Sequence, residues 1–244
     1  MPDKPSLYTV LSPALLDLYE IDNAIVVIID VLRATSTIAT ALYNGAESVL
    51  PVDTVEKCIT LGKLKGAITA GEREGKVIEG LQHGNSPLEY DREFIQNKNL
   101  VLTTTNGTKL LYMALEKGAT NIITGAFANQ SAVIDYLLSQ RRNVILACGA
   151  WKDRINIEDT LFAGAVVDKV KDHFHINCDS SSIAQSVYAE AKEDLFSYVK
   201  RKHASHYLRL SGYGLEKDIA YCLTPDTANV LPVFSDGRLT AGDH

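Results

Sequence analysis

The residues Ile25-Val26-Val27-Ile28-Ile29 form an unbroken run of β-branched apolar side chains that ends at Asp30. A strand without polar alternation buries both faces, which is the situation of an interior strand in a parallel sheet covered by helices on each side. In open α/β sheets, ligands collect at the carboxyl ends of strands. This strand delivers Asp30 there, followed by Arg33 and the hydroxyls of Thr35, Ser36 and Thr37, any of which can cap a helix beginning near Ile38. An acid, a guanidinium and three hydroxyls outline an anion or metal site. The plainer alternative is that Asp30 caps a turn while Arg33 pairs with a surface carboxylate.

The rest of the chain supplies what such a strand needs. Strand patterns at Leu7–Val10, Ser48–Val52, Ala67–Ala70, Leu100–Leu102, Asn121–Thr124 and Asn143–Cys148 alternate with helical patterns at Pro13–Tyr19, Thr35–Tyr43, Val55–Leu64, Lys109–Lys117, Ser131–Ser139 and Glu158–Lys171. The expected fold is therefore α/β, with a layered, mostly parallel sheet and helices on both faces. Residues 71–87, rich in glycine and including His83, Asn85 and Ser86, read as an irregular loop of the length that is usually functional. After Cys178 the pattern is helical through Ser182–Lys200 and His203–Leu210, with a strand at Asn229–Phe234. That tail can complete the sheet or present a homodimer surface. We expect one domain over 1–244, with sub-lobes near 1–125 and 126–244.

A net charge of −6 argues against nucleic acid and membrane surfaces as partners, so an anionic ligand must be held by local cations, amides or a metal. The N-terminus lacks an apolar leader and no run is long enough to span a bilayer, so we expect a cytoplasmic protein. Cys58, Cys148, Cys178 and Cys222 are scattered without zinc or disulfide spacing and are expected to be thiols.

Two further strand ends resemble the first in content. The run Thr103-Thr104-Thr105-Asn106-Gly107-Thr108 leads into a helix whose N-terminal amides suit phosphate or sulfonate, although it also fits a capped turn. The segment after Cys148 ends in Glu158-Asp159 at the first turn of a helix, where acids ordinarily complement the helix dipole. Were this strand to lie beside the one ending at Asp30, then Asp30, Glu158 and Asp159 could converge on one Mg²⁺. The Cys148-to-Arg154 spacing also matches a thiol phosphatase loop, but Trp151, Lys152 and Asp153 are poor residues for an amide cradle. An aspartate phosphatase of the dehalogenase type needs a second acid where this chain has Leu32. His206 and Trp151 read as packing residues.

Taken together these segments resemble the 2-phosphosulfolactate phosphatase family. The resemblance rests on Asp30 to Thr37, Gly71-Glu72-Arg73, Gly84-Asn85-Ser86-Pro87, Thr103 to Thr108, Cys148 with Glu158-Asp159, Ala163-Gly164, Ser205-His206, Asp218-Ile219 and Cys222, in the family's order. It implies a Mg²⁺-dependent hydrolysis of (2R)-2-phospho-3-sulfolactate to 3-sulfolactate and phosphate, as in coenzyme M biosynthesis. The catalytic residues would be Asp30, Arg33, Glu158 and Asp159, with Mg²⁺ on the three acids. Thr35, Ser36, Thr37, Arg73, Asn85, Ser86, Thr104, Thr105, Asn106, Gly107, Thr108 and Cys148 would bind a small anionic substrate. Attack by water and attack by Asp30 are both open. The alternative function is a non-catalytic binding protein for a small phosphorylated or sulfonated acid.

Overall fold

The structure is a computed structural model that describes residues 4–73 and 76–242. Its strands are β1 (Leu7–Val10), β2 (Ile25–Ile29), β3 (Ser48–Pro51), β4 (Ile68–Arg73), β5 (Lys76–Val77), β6 (Asn99–Thr103), β7 (Asn121–Gly125), β8 (Val144–Cys148), β9 (Pro232–Ser235) and β10 (Arg238–Ala241). The helices are α1 (Ala34–Tyr43), α2 (Val55–Lys65), α3 (Arg92–Ile95), α4 (Gly107–Glu116), α5 (Gln130–Gln140), α6 (Ile157–Val170), α7 (Asp179–Ala191), α8 (Leu195–Arg201), α9 (Ser205–Ser211) and α10 (Glu216–Cys222).

The expected α/β layering is present. All five residues of β2 are buried, and the pleat divides them between two cores. Ile25, Val27 and Ile29 pack with α6 and the tail helices, whereas Val26 and Ile28 pack with Leu110, Leu111 and Ala114 of α4. The sheet has ten strands in the order β1-β8-β2-β7-β9-β10-β3-β6-β4-β5. Within β1-β8-β2-β7 and within β3-β6-β4 every pairing is parallel. The hairpin β9–β10 joins these blocks, antiparallel to β7 on one side and to β3 on the other. Three antiparallel steps make the two blocks run in opposite directions.

That arrangement positions the site. Ile28 and Thr124 of one block and Pro51 and Leu102 of the other line one pocket, together with residues of α1 and α4. The start of α4 thereby reaches the β2–α1 turn, where a Cβ on Gly107 would lie 3.0 Å from both Asp30 Oδ2 and the Ala34 Cβ.

Several expectations change. The hydroxyls after β2 do not cap α1, which begins at Ala34 with Arg33 in the cap position and no side-chain cap bond. The tail strand is the first arm of a hairpin at the middle of the sheet, and β10 carried no strand signal of its own. The long helix expected at Ser182–Lys200 is two, because the Asp194 side chain accepts from Ser197 N–H (2.9 Å) and starts α8. The segment taken as a loop from Gly71 begins as strand: β4 continues to Arg73 and turns back into β5, with Glu74 and Gly75 outside the described residues. Gly71 is required there, since a Cβ would meet Thr103 O at 2.7 Å. A boundary near residue 125 does not follow the sheet, for β8 sits between β1 and β2. Among the described residues no helix is long and apolar enough to cross a membrane.

Candidate active site

The carboxyl ends of β2, β4, β6 and β8 surround a polar cleft. Asp30 and Arg33 enter from the β2–α1 turn, Glu72 from β4, and Asn85 from the following segment. Thr105 and Asn106 come from the turn before α4, Trp151 from the β8–α6 connection, and Arg209 from α9.

The β2–α1 turn is held by its own hydroxyls. Thr35 Oγ1 accepts from Asp30 N–H (3.1 Å), Ser36 Oγ donates to Val31 O (2.8 Å), and Thr37 Oγ1 donates to Asn85 O (3.0 Å). Thr35 and Ser36 are thus engaged within the turn, and Thr37 ties it to the segment that carries Asn85. The Leu32–Arg33 peptide in this turn is cis.

The acids converge as the strand ends suggested, but with different jobs. Asp159 Oδ1 accepts from Val31 N–H (2.9 Å), and Oδ2 accepts from Ala150 N–H (3.2 Å) and the Asn156 amide (2.9 Å). Its carboxylate therefore pins the β2 and β8 turns to the start of α6. Burial, with Glu158 and Asp30 close by, holds the Asp159 carboxyl well above the usual range. Glu158 pairs with His206 Nδ1 across a contact in which both side chains are 1% exposed. Glu158 Oε2 and His206 Nε2 are buried without partners. Burial works against the charged imidazole, yet the Glu158 carboxylate and its hydrogen bond outweigh it and raise the His206 pKa. Only Asp30 of the three expected acids lines the cleft. Burial pushes it up to about 6, against the opposing pull of His206 and with added repulsion from Glu72 and Glu158. Glu72, quoted in the sequence only as part of a motif, reaches the cleft and accepts from Thr105 Oγ1 (3.2 Å).

Two guanidinium groups face these acids. Arg33 is 5% exposed and paired with Asp218 of α10. Arg209 lies over the Trp151 ring, 5.5 Å from its centroid. Trp151 in turn meets His206 edge-on at 5.9 Å. Trp151 and His206 are therefore more than packing residues: one forms a cleft wall and the other supports it. Arg209 was missed, although it lies three residues beyond His206 and so on the same helix face.

Other expected residues sit elsewhere. Arg73, Thr104 and Thr108 line an adjacent groove with Lys109, and Arg73 donates to Glu72 O (2.8 Å). Thr108 Oγ1 donates to Thr104 O (2.7 Å), a bond internal to the α4 start. Gly107 makes the close approach to Asp30 described above. Ser86 accepts from Leu88 N–H (3.3 Å) as the cap of a short turn, while its neighbour Asn85 faces the cleft with Oδ1 unpartnered. Cys148 is fully enclosed, and burial drives its thiol upward, so it is neither a substrate contact nor the nucleophile of a thiol phosphatase.

No group of three His, Cys, Asp or Glu side chains is arranged to hold a metal among the described residues. The Asp30–Glu158–Asp159 trio does not fit a cation, because Asp159 is occupied by three N–H donors and Glu158 by His206. Asp30 and Glu72 line the same cleft, and one or two carboxylates completed by water and substrate oxygens are the donor set that a hard cation of the Mg²⁺ kind takes.

An α/β sheet that gathers carboxylates and guanidinium groups in one cleft at its strand ends has the make-up of a site for a small, highly charged anion. The chain belongs to the 2-phosphosulfolactate phosphatase family: the family described as 2-phosphosulpholactate phosphatase matches residues 10–237. A protein of Thermotoga petrophila is 42% identical over 211 residues, covering 86% of this chain and 89% of its own length. One of Caldanaerobacter subterraneus is 38% identical over 216 residues, covering 87% and 88%. One of Clostridium acetobutylicum is 35% identical over 224 residues, covering 90% and 93%. Each is named as a probable 2-phosphosulfolactate phosphatase.

Proposed function

We propose that this protein is a Mg²⁺-dependent, cytoplasmic phosphatase that hydrolyses (2R)-2-phospho-3-sulfolactate to 3-sulfolactate and inorganic phosphate, the reaction used in coenzyme M biosynthesis. The observation that carries it is the single cleft in which Asp30 and Glu72 face Arg33, Arg209 and the turn before α4. A protein of net charge −6 can hold a polyanionic ester only where cations and amides are concentrated in this way.

Arg33, fixed by Asp218, and the Thr105–Asn106 turn supply donors for the phosphoryl oxygens. Asp30 and Glu72 would hold the Mg²⁺, which when bound neutralises phosphoryl charge and favours in-line displacement. Without the cation an Asp30 titrating near 6 is already mainly ionised at neutral pH, which is the form that takes up a hard cation. We favour water attack over attack by Asp30 because position 32, where an aspartate phosphatase carries its second acid, is a buried leucine.

Phosphate release from phosphosulfolactate, phospholactate and phosphoglycerate, with and without Mg²⁺, tests the assignment. Fastest turnover of the first, abolished by EDTA, is expected; binding without turnover would make this a binding protein. A single turnover in ¹⁸O water should place label in phosphate, and label in an enzyme carboxylate would reverse the choice of nucleophile.

A further inference from the structure

Arg33 and Arg209 share the cleft but differ in their surroundings. Arg33 is neutralised by Asp218, whereas among the described residues Arg209 has no carboxylate partner. Its Nε is buried without a hydrogen-bond partner, and its guanidinium carbon lies 5.5 Å from the centroid of the Trp151 ring. A buried donor left unpaired costs free energy, and in a ligand cleft that cost is recovered only when an acceptor arrives. A guanidinium held beside an indole keeps its N–H fork, and such a fork suits the paired oxygens of a carboxylate or sulfonate.

Arg209 enters the cleft from α9, not from the strand-end turns that carry Asp30, Arg33, Thr105 and Asn106. Asp30 and the start of α4 meet at Gly107, where a Cβ would come 3.0 Å from Asp30 Oδ2, and the phosphatase reading assigns the transferred phosphate to these groups. Arg209 belongs to the α9 wall, braced through Trp151 against His206 and, behind it, Glu158. We propose that Arg209 is a specificity residue that binds the anionic group of the substrate that is not transferred, a carboxylate or a sulfonate. This inference rests on the phosphatase reading above.

The test compares Arg209→Gln and Arg209→Lys with the parent on four phosphate esters. One carries phosphate, carboxylate and sulfonate, one phosphate and carboxylate, one phosphate and sulfonate, and an aryl phosphate has no second anion. Loss of one charge-assisted contact predicts a rise in KM of about 10- to 100-fold for esters whose second anion Arg209 binds, well beyond any change for the aryl phosphate. The two-anion esters then show which group is read. The Lys variant, keeping charge without the fork, should recover part of the loss. Equal loss on all four esters, or none, would overturn the proposal. Calorimetric binding of 3-sulfolactate to parent and Arg209→Gln, with unfolding curves for both, reads the contact without turnover. Weakened binding only in the variant supports Arg209 even if hydrolysis fails, and equal binding overturns it.

Discussion

Replacing Asp30 by Asn is expected to remove activity and, in EDTA, to stabilise the fold at neutral pH. Asp30 is enclosed, and burial raises its pKa from the ordinary 3.8 to about 6. A carboxyl whose folded pKa is raised contributes fully to stability below its unfolded pKa, where it is neutral in both states. That contribution is lost as pH rises through the folded value. At 1.36 kcal/mol per pKa unit the whole shift amounts to about 3 kcal/mol, of which the parent loses about 2 kcal/mol between pH 4 and pH 7 at this one residue. Asn has the same shape, can still accept the Ala34 N–H bond, and carries no charge to desolvate. The variant should then unfold at a similar urea concentration to the parent at pH 4. By pH 7 it should be more stable by about 2–3 kcal/mol, or roughly 5–10 °C in Tm for a chain of this size. Urea titrations in EDTA across this range, with phosphate release measured in Mg²⁺, provide the assay. A variant no more stable than its parent at pH 7, or one that still turns over, would show that residue 30 is neither a desolvated acid nor part of the chemistry.

The remaining predictions concern the supports of the cleft. His206→Ala leaves the Glu158 carboxylate buried and unpaired and should cost about 3–5 kcal/mol in denaturant unfolding, with much of that loss recovered in the Glu158→Gln/His206→Ala double variant. Gly107→Ala should fold yet lose kcat, because the new methyl presses on Asp30 Oδ2 and Ala34; full kcat would place the reacting group elsewhere. Cys148→Ser should retain EDTA-sensitive phosphate release, and loss of turnover in a folded variant would revive the thiol mechanism.

Much of the architecture was legible locally. A run such as Ile25–Ile29 can satisfy its side chains only between two helical layers, and the acids, hydroxyls and glycines at its end and at two others marked where a ligand could sit. The resemblance along the chain pointed to the right family. What residue order did not disclose was which polar groups are used up by the protein itself. Thr35–Thr37 look like ligand donors until each is seen bonded within the protein, Thr37 to Asn85 O, and Asp159 looks like a metal ligand until three N–H groups are counted on it. Spacing conveys which groups are neighbours in the chain, but hydrogen-bond capacity is spent between groups far apart in it.

The chain by itself determined the α/β alternation, the buried strand and the chemistry offered at its end. The tertiary structure decided that a C-terminal hairpin divides the sheet into opposed blocks, and that Glu72, Trp151 and Arg209 join Asp30 and Arg33 around one cleft. Periodicity is a property of short segments. The pairing of β9 with β7 and of β10 with β3 spans more than a hundred residues and is settled only when the whole core closes around it.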